Sequence, residues 1–145
     1  MPRITLNHYN LMTRNLDATV AFYTGVLGLR SGFYPGGLAR GAWLYDSTDT
    51  PVLHTQEVDA DNFAEFAARS KTRPGISDFP AALEDLWGSG TLDHVAFQCD
   101  DIDGIRSRLQ DQNVPYYETD IASMALRQIF VRDPNGILLE LNFPT

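Results

Sequence analysis

The chain has 145 residues, with 11 Lys and Arg against 19 Asp and Glu, and its formal net charge is −8. Such acidity repels a phosphate backbone, which excludes nucleic acid as a partner. The composition, 43% hydrophobic and 21% charged, is typical of a globular protein and excludes a disordered or fibrous chain.

The expected compartment is the cytoplasm. Cys99 is the single cysteine, so no internal disulfide can form, and the N-terminal residues lack the profile of a signal peptide. No apolar run reaches membrane-spanning length, so we expect no membrane partner.

The first part of the chain predicts one helix among several strands. The helix spans residues 16–29, with Asn15 or Asp17 as its N-terminal cap and Gly28 as its C-terminal cap. Its apolar stripe consists of Leu16, Val20, Tyr23 and Leu27. The strands are predicted at residues 4–12, 41–46 and 51–56, with a weaker strand pattern over residues 30–40.

The last part of the chain repeats this order. Residues 92–99 predict a strand, and Asp101 opens a helix whose Ile102, Ile105 and Leu109 share a face. Two strands, residues 127–133 and 137–143, then form a hairpin across a turn that contains Pro and Gly.

The predicted organisation is a first unit over residues 1–56, a helical linker over residues 57–90 and a second unit over residues 91–145. Within the linker, an acidic helix is predicted near Asp61 to Ser70 and a second helix after Pro80. We expect these segments to form one compact domain.

An internal repeat relates the two units. Sliding the chain by 86 residues places His8 on His94 and His54 on Glu140. The same shift places Trp43, Leu44 and Tyr45 on Ile129, Phe130 and Val131. Because the chain's three histidines all fall on repeat-equivalent positions, with Glu140 at the fourth, we interpret them as functional.

Strand alternation supports a metal site at these positions. Side chains two residues apart share a face, so Glu140 and Asn142 lie together in a strand that is otherwise nearly all apolar. Burying an isolated carboxylate is costly, and a bound cation removes that cost. We therefore predict that His8, His94 and Glu140 bind a divalent metal.

The sequence resembles the vicinal oxygen chelate superfamily, which includes glyoxalase I, fosfomycin and bleomycin resistance proteins, methylmalonyl-CoA epimerase and extradiol dioxygenases. The resemblance lies in HYNLMTRNLDATVAFYTGVLGL, DHVAF and VRDPNGILLELNF. It implies an α+β fold, in which two βαβββ units form a cupped, half-open barrel with ligands on the first and fourth strand of each unit. It also implies a homodimer with shared sites and a small-molecule substrate.

The donor set of two His and one carboxylate is the facial triad of non-haem Fe(II) oxygenases, so Fe(II) is our first choice of metal. Zinc, nickel and manganese accept the same atoms. The resemblance leaves His54 as a fourth ligand, an acid/base group or a packing residue. An acid/base His54 favours an extradiol-type dioxygenase acting on a small catechol-like substrate.

Two other functions stay open: a glyoxalase-like or epimerase-like lyase or isomerase, and a ligand-sequestering resistance protein without turnover. Extradiol enzymes carry a tyrosine at the position that Phe130 occupies here, which counts against the first choice. Fosfomycin-type thiol transfer needs a basic cluster, for which Arg127 and Arg132 are the nearest candidates. The substrate-binding residues predicted from strand alternation are Gln128, Phe130 and Asn142, followed by Asn10 and Met12.

Overall fold

The computed structural model describes residues 2–36, 39–72 and 79–145. The strands in these ranges are β1 (Tyr9–Thr13), β2 (Arg30–Ser31), β3 (Gly41–Tyr45), β4 (Leu53–Glu57), β5 (Val95–Gln98), β6 (Tyr116–Ile121), β7 (Leu126–Arg132) and β8 (Leu138–Pro144). The helices are α1 (Leu16–Gly25), α2 (Phe63–Lys71) and α3 (Ile102–Asp111). None of the described helices is both long and apolar enough to cross a bilayer.

Two four-stranded sheets with the same topology form the fold. Sheet 1 has the order β1-β4-β3-β2 and sheet 2 the order β5-β8-β7-β6. In each sheet the first and fourth strands are parallel and the other neighbours antiparallel. The prediction of an α+β fold with two βαβββ units in a cupped, half-open arrangement is therefore confirmed.

Of the two residues predicted as possible caps of helix α1, Asn15 is the cap and Asp17 lies in the first turn. The Asn15 side chain accepts a hydrogen bond from the Ala18 N–H at 2.9 Å, which satisfies a free donor of the first turn. Gly28 follows with φ +75°, the left-handed conformation that favours glycine. In the second unit, Asp101 caps α3 in the same way through the Gly104 N–H.

One hydrophobic core joins both units. Each sheet turns one face toward the helices, and the core draws on α1, α3 and both sheets. A smaller cluster lies under α2, where Phe63 and Phe66 pack with Met12 at the end of β1. The linker thus covers one end of the face of sheet 1 that points away from the main core.

Several predicted elements differ from the structure. Helix α1 ends at Gly25 rather than residue 29, and β5 covers only Val95–Gln98 of the predicted residues 92–99. The first strand begins at Tyr9 rather than residue 4, and Ile4 and Leu6 are 90% and 85% exposed. The weak strand pattern of residues 30–40 becomes only the two residues of β2, although residues 37 and 38 lie outside the described ranges. After Pro80 there is a single 3-10 turn, Leu83–Asp85, in place of a helix.

The ungapped repeat is wrong by one residue in the third strand of each unit. Trp43 is the cross-strand partner of His54, whereas the partner of Glu140 is Phe130 and not Ile129. The equivalent of Trp43 is thus Phe130, 87 residues later. The cause is the hairpin connection, because Trp43 and His54 are separated by one residue more than Phe130 and Glu140.

A buried hydrogen bond ties the two units together. The hydroxyl of Tyr23, a fully buried residue of α1, donates to Asp133 Oδ2 at 2.9 Å in the turn between β7 and β8. The other Asp133 oxygen accepts from the N–H groups of Asn135 and Ile137, so this carboxylate shapes the turn as well.

Replacing Tyr23 by Phe should lower the free energy of unfolding by about 1–3 kcal/mol, because a buried carboxylate oxygen loses a hydrogen bond. Urea denaturation followed by circular dichroism measures this. Tyr45→Phe is the matched control, since the Tyr45 hydroxyl bonds the Phe33 carbonyl at an exposed site. Equal effects of the two changes would contradict the role assigned to the buried pair.

Candidate metal and substrate site

The open face of sheet 2 carries His94 and Glu140. His94 directly precedes β5, and Glu140 lies in the middle of β8 between Ala96 of β5 and Phe130 of β7. Alternation turns Leu139 and Leu141, which are both 0% exposed, into the core. The carboxylate of Glu140 therefore points to the opposite, open face.

His94 and Glu140 approach each other through one atom each. His94 Nε2 lies 3.5 Å from Glu140 Oε2, and their side chains are 37% and 16% exposed. His94 Nδ1 contacts Asp93 Oδ2 at 2.8 Å, and Glu140 Oε1 accepts from Asn142 Nδ2 at 2.8 Å. The atoms that face each other, His94 Nε2 and Glu140 Oε2, are therefore not the atoms that contact Asp93 and Asn142.

A chain of polar side chains runs along the same face to Glu140. Thr119 donates to Gln128 Oε1 at 3.4 Å, Gln128 Nε2 donates to Asn142 Oδ1 at 3.0 Å, and Asn142 donates to Glu140. Gln128 is only 8% exposed. The structure thus gives Gln128 and Asn142 a contact toward the carboxylate; their binding of substrate stays a prediction.

The two histidines of the first unit, His8 just before β1 and His54 in β4, form a different arrangement. The rings of His8 and His54 are stacked, with centroids 3.8 Å apart, and the Trp43 ring stacks on the other side of His54 at 3.9 Å. The Nε2 atom of His54 is buried without a hydrogen-bond partner among the described residues. His8 and His54 therefore contact each other by ring stacking, whereas hydrogen bonds and charge surround His94 and Glu140.

The pKa values of the two central histidines move in opposite directions. Burial and the neighbouring His8 lower the pKa of His54 below its ordinary value. The hydrogen bond to Asp93, with the charge of Glu140 in support, raises the pKa of His94. The environment of His54 thus favours the neutral imidazole. The environment of His94 favours the protonated imidazolium, because the carboxylates of Asp93 and Glu140 lie beside it.

A single copy of the chain does not bring the predicted ligands together. Within residues 2–36, 39–72 and 79–145, no group of three or more His, Cys, Asp or Glu side chains is close enough to hold a metal ion. His8 lines a cleft of about 410 Å³ together with Gln98, the last residue of β5. His94 lies at the other end of this strand, just before its first residue, Val95. His94 and Glu140 meet, His8 and His54 meet, and the two pairs stay apart.

Several neighbours of these pairs were not predicted as site residues. Asp93 could have been found, since the repeat places it on Asn7, which contacts His8 Nδ1 at 2.6 Å. Trp43 and Tyr117 depend on pairing between strands that are distant in sequence. Tyr117 stacks on Phe130 with ring centroids 4.9 Å apart. No pattern within a single strand indicates such a contact.

The two arginines considered for an anionic substrate are engaged elsewhere. Arg127 lies 3.7 Å from Asp120, its cross-strand partner. Arg132 donates to the Gly136 carbonyl in the adjoining turn at 2.8 Å. Neither contributes to a basic cluster of the kind that phosphonate binding requires.

Comparison with known proteins identifies relatives over almost the whole chain. Glyoxylase I 4 of Arabidopsis thaliana is 23% identical over 141 residues, which cover 94% of this chain and 69% of the relative. A lactoylglutathione lyase from Agrobacterium tumefaciens has a TM-score of 0.64 at 20% identity, over 99% of this chain and 96% of that one. At this identity the likeness shows the fold.

The fosfomycin resistance protein FosX from Listeria monocytogenes has a TM-score of 0.65 at 19% identity, over 97% of this chain and 92% of that one. A mutant of FosX was solved with Mn(II) and 1S,2S-dihydroxypropylphosphonic acid. The model of the Glyoxalase/Bleomycin resistance protein/Dioxygenase superfamily matches residues 5–141. The chain therefore belongs to this superfamily, as its resemblance to vicinal oxygen chelate proteins predicted.

Proposed function

We propose that this chain is a divalent-metal-dependent enzyme that acts on a small molecule with two neighbouring oxygen atoms. The observation that carries the proposal is the approach of His94 Nε2 to Glu140 Oε2 at 3.5 Å. Two donors bound about 2.1 Å from one ion lie about 3.0–3.4 Å apart, so this spacing fits a shared metal.

The surroundings of this pair also fit a metal. Ligand histidines usually contact a carboxylate through their second nitrogen, and ligand carboxylates are themselves hydrogen-bonded. Asp93 and Asn142 stand in these positions beside His94 and Glu140. When bound, the metal would polarise and orient the two substrate oxygens.

The remaining ligand in this proposal is His8 of a second copy. A twofold dimer places the same surface of each subunit in the interface, so sheet 1 of one subunit can face sheet 2 of the other. The exposed Ile4 and Leu6, just before His8, support such an interface, because adjacent exposed apolar side chains mark contact surfaces. The proposed site thus contains His94, Glu140 and the partner subunit's His8.

Ring-cleaving dioxygenation with Fe(II) is the reaction we propose first. The donor set of two imidazoles and one carboxylate supports it, since this set is typical of non-haem iron oxygenases. His54 is the proposed acid/base group. Its buried Nε2 has no hydrogen-bond partner within the described ranges, and such an arrangement costs free energy unless a substrate hydroxyl or another group supplies the hydrogen bond.

A metal-dependent lyase or isomerase is the second candidate. In its favour, the proteins similar to this chain include a glyoxylase and a lactoylglutathione lyase. Phe130, which stands opposite Glu140 where extradiol enzymes carry tyrosine, also favours it. A non-catalytic, ligand-sequestering role is the third, and metal-dependent turnover of any substrate would exclude it.

The metal site predicts that His94→Ala or Glu140→Ala abolishes stoichiometric metal binding without unfolding the protein. Each change removes a donor but leaves the core intact. Elemental analysis measures the metal, and circular dichroism checks the fold. Gln98→Ala serves as the control, since this side chain shares the open face without contacting the pair. Full metal content in either ligand variant would refute the assignment.

The shared site predicts complementation between His8→Ala and Glu140→Ala. Each variant alone should bind no metal. Coexpressed with different tags, they should form mixed dimers in which one of the two sites keeps all its ligands. Random pairing then restores about a quarter of the wild-type metal content, and isolated mixed dimers hold about half. If coexpression restored nothing, the site would not be formed between copies.

The proposed role of His54 predicts that His54→Ala lowers turnover by about 10²- to 10⁴-fold while metal is retained. Oxygen uptake by the iron-loaded protein with a catechol panel measures turnover, and Gln56→Ala on the same strand face is the control. Loss of metal would instead make His54 a ligand. Absence of oxygen uptake in the wild type, with metal-dependent loss of a methylglyoxal–thiol adduct, would replace dioxygenation by the lyase.

A further inference from the structure

Two upright aromatic rings extend the face of sheet 2 beyond Glu140. Across the sheet the paired residues are Glu140, Phe130 and Tyr117, on three adjacent strands. The rings of Phe130 and Tyr117 are nearly parallel, at 10°, with centroids 4.9 Å apart. Because neighbouring strands are spaced by about 4.8 Å, each ring stands over its own strand.

The end of the Tyr117 side chain is free to contact a ligand. Tyr117 is 58% exposed, which is unusual for an aromatic residue in a sheet that otherwise packs its rings. Side chains in strands stand roughly perpendicular to the sheet, so the hydroxyl is carried outward on the same face as Glu140. In the described part of the chain, no group forms a hydrogen bond with this hydroxyl.

The neighbouring Tyr116, by contrast, has a hydrogen-bond partner for its hydroxyl. It points to the other face of the sheet, and its hydroxyl accepts a hydrogen bond from Gln110 Nε2 at 3.3 Å. Tyr116 is thus satisfied within the fold. A buried or half-buried tyrosine ordinarily finds such a partner, and an aromatic ring with a free hydroxyl is well suited to binding.

We propose that Tyr117 forms a second substrate subsite, two strands from Glu140, which binds an uncharged oxygen-bearing group of a flat substrate. This inference rests on the proposed metal site, where the substrate's two neighbouring oxygens would be held. Two strand spacings amount to about 10 Å, so the bound molecule is longer than a bare chelating pair.

The chemistry of the subsite follows from its surroundings. The edges of the stacked Phe130 and Tyr117 rings offer contacts to a flat conjugated ligand, and the phenol offers one neutral hydrogen bond. A carboxylate or phosphate would require a cation here, but Arg127 is paired with Asp120. The net charge of −8 further disfavours an anionic group.

The test compares two probes that share the chelating oxygens: catechol, and nitrocatechol with its nitro group para to one hydroxyl. Both are titrated by absorption into metal-loaded wild type, Tyr117→Phe and the matched control Tyr116→Phe. Each variant is compared with the wild type for the same probe, so the different acidities of the probes cancel. Tyr117→Phe keeps the stacked ring and removes only the hydroxyl.

Tyr117→Phe should weaken nitrocatechol binding by about 3- to 10-fold, the effect of one neutral hydrogen bond, and leave catechol binding unchanged. Tyr116→Phe should affect neither probe, and metal content should be the same in all three proteins. An unchanged affinity for nitrocatechol in Tyr117→Phe would overturn the subsite. Equal weakening of both probes would also overturn it.

The outcomes separate this inference from the proposed function. If the wild type holds metal and binds both probes but Tyr117→Phe behaves like the wild type, only the subsite is wrong. If the wild type holds no metal, the proposed function fails and the subsite fails with it. Metal-loaded wild type that binds neither probe would overturn the subsite as a site for flat chelating ligands.

Discussion

The register of one parallel strand pair in each sheet is the constraint on which the rest of the site depends. In sheet 2, pairing of Ala96 with Glu140 brings the start of β5 beside the middle of β8. Because side chains alternate, this register turns Leu139 and Leu141 into the core and Glu140 outward. A shift by one residue would bury the carboxylate and expose both leucines.

The two sheets share this register but have different partners for their central side chains. Glu140 in sheet 2 accepts one hydrogen bond from Asn142 and lies beside His94, so each of its two oxygens has a polar neighbour. His54, the equivalent in sheet 1, is held between two rings. These two unlike pairs lie apart within a single copy of the chain. A site shared by two copies requires such an arrangement, and this is the basis of the proposed dimer.

Individual residues show where prediction from sequence succeeded and where it failed. Asn15, one of the two residues predicted as possible caps of α1, and Asp101 both act as caps, because a cap depends only on residues within one turn. The ungapped repeat placed Trp43 on Ile129, but the strand pairing makes Phe130 the equivalent of Trp43, since these two residues are the partners of Glu140 and His54. The extra residue in the first hairpin connection changes the pairing, and an ungapped shift does not detect such an insertion.

The sequence by itself determined the duplicated units, the faces of the strands and the residue types able to bind a metal, because periodicity and capping are local properties of the chain. Only the tertiary structure decided which of these side chains meet. It paired His94 with Glu140, stacked His54 between His8 and Trp43, and placed Tyr117 beside Phe130. These contacts depend on how strands distant in sequence pair and on how the hairpin connections set their register, and neither can be obtained from spacing along one strand.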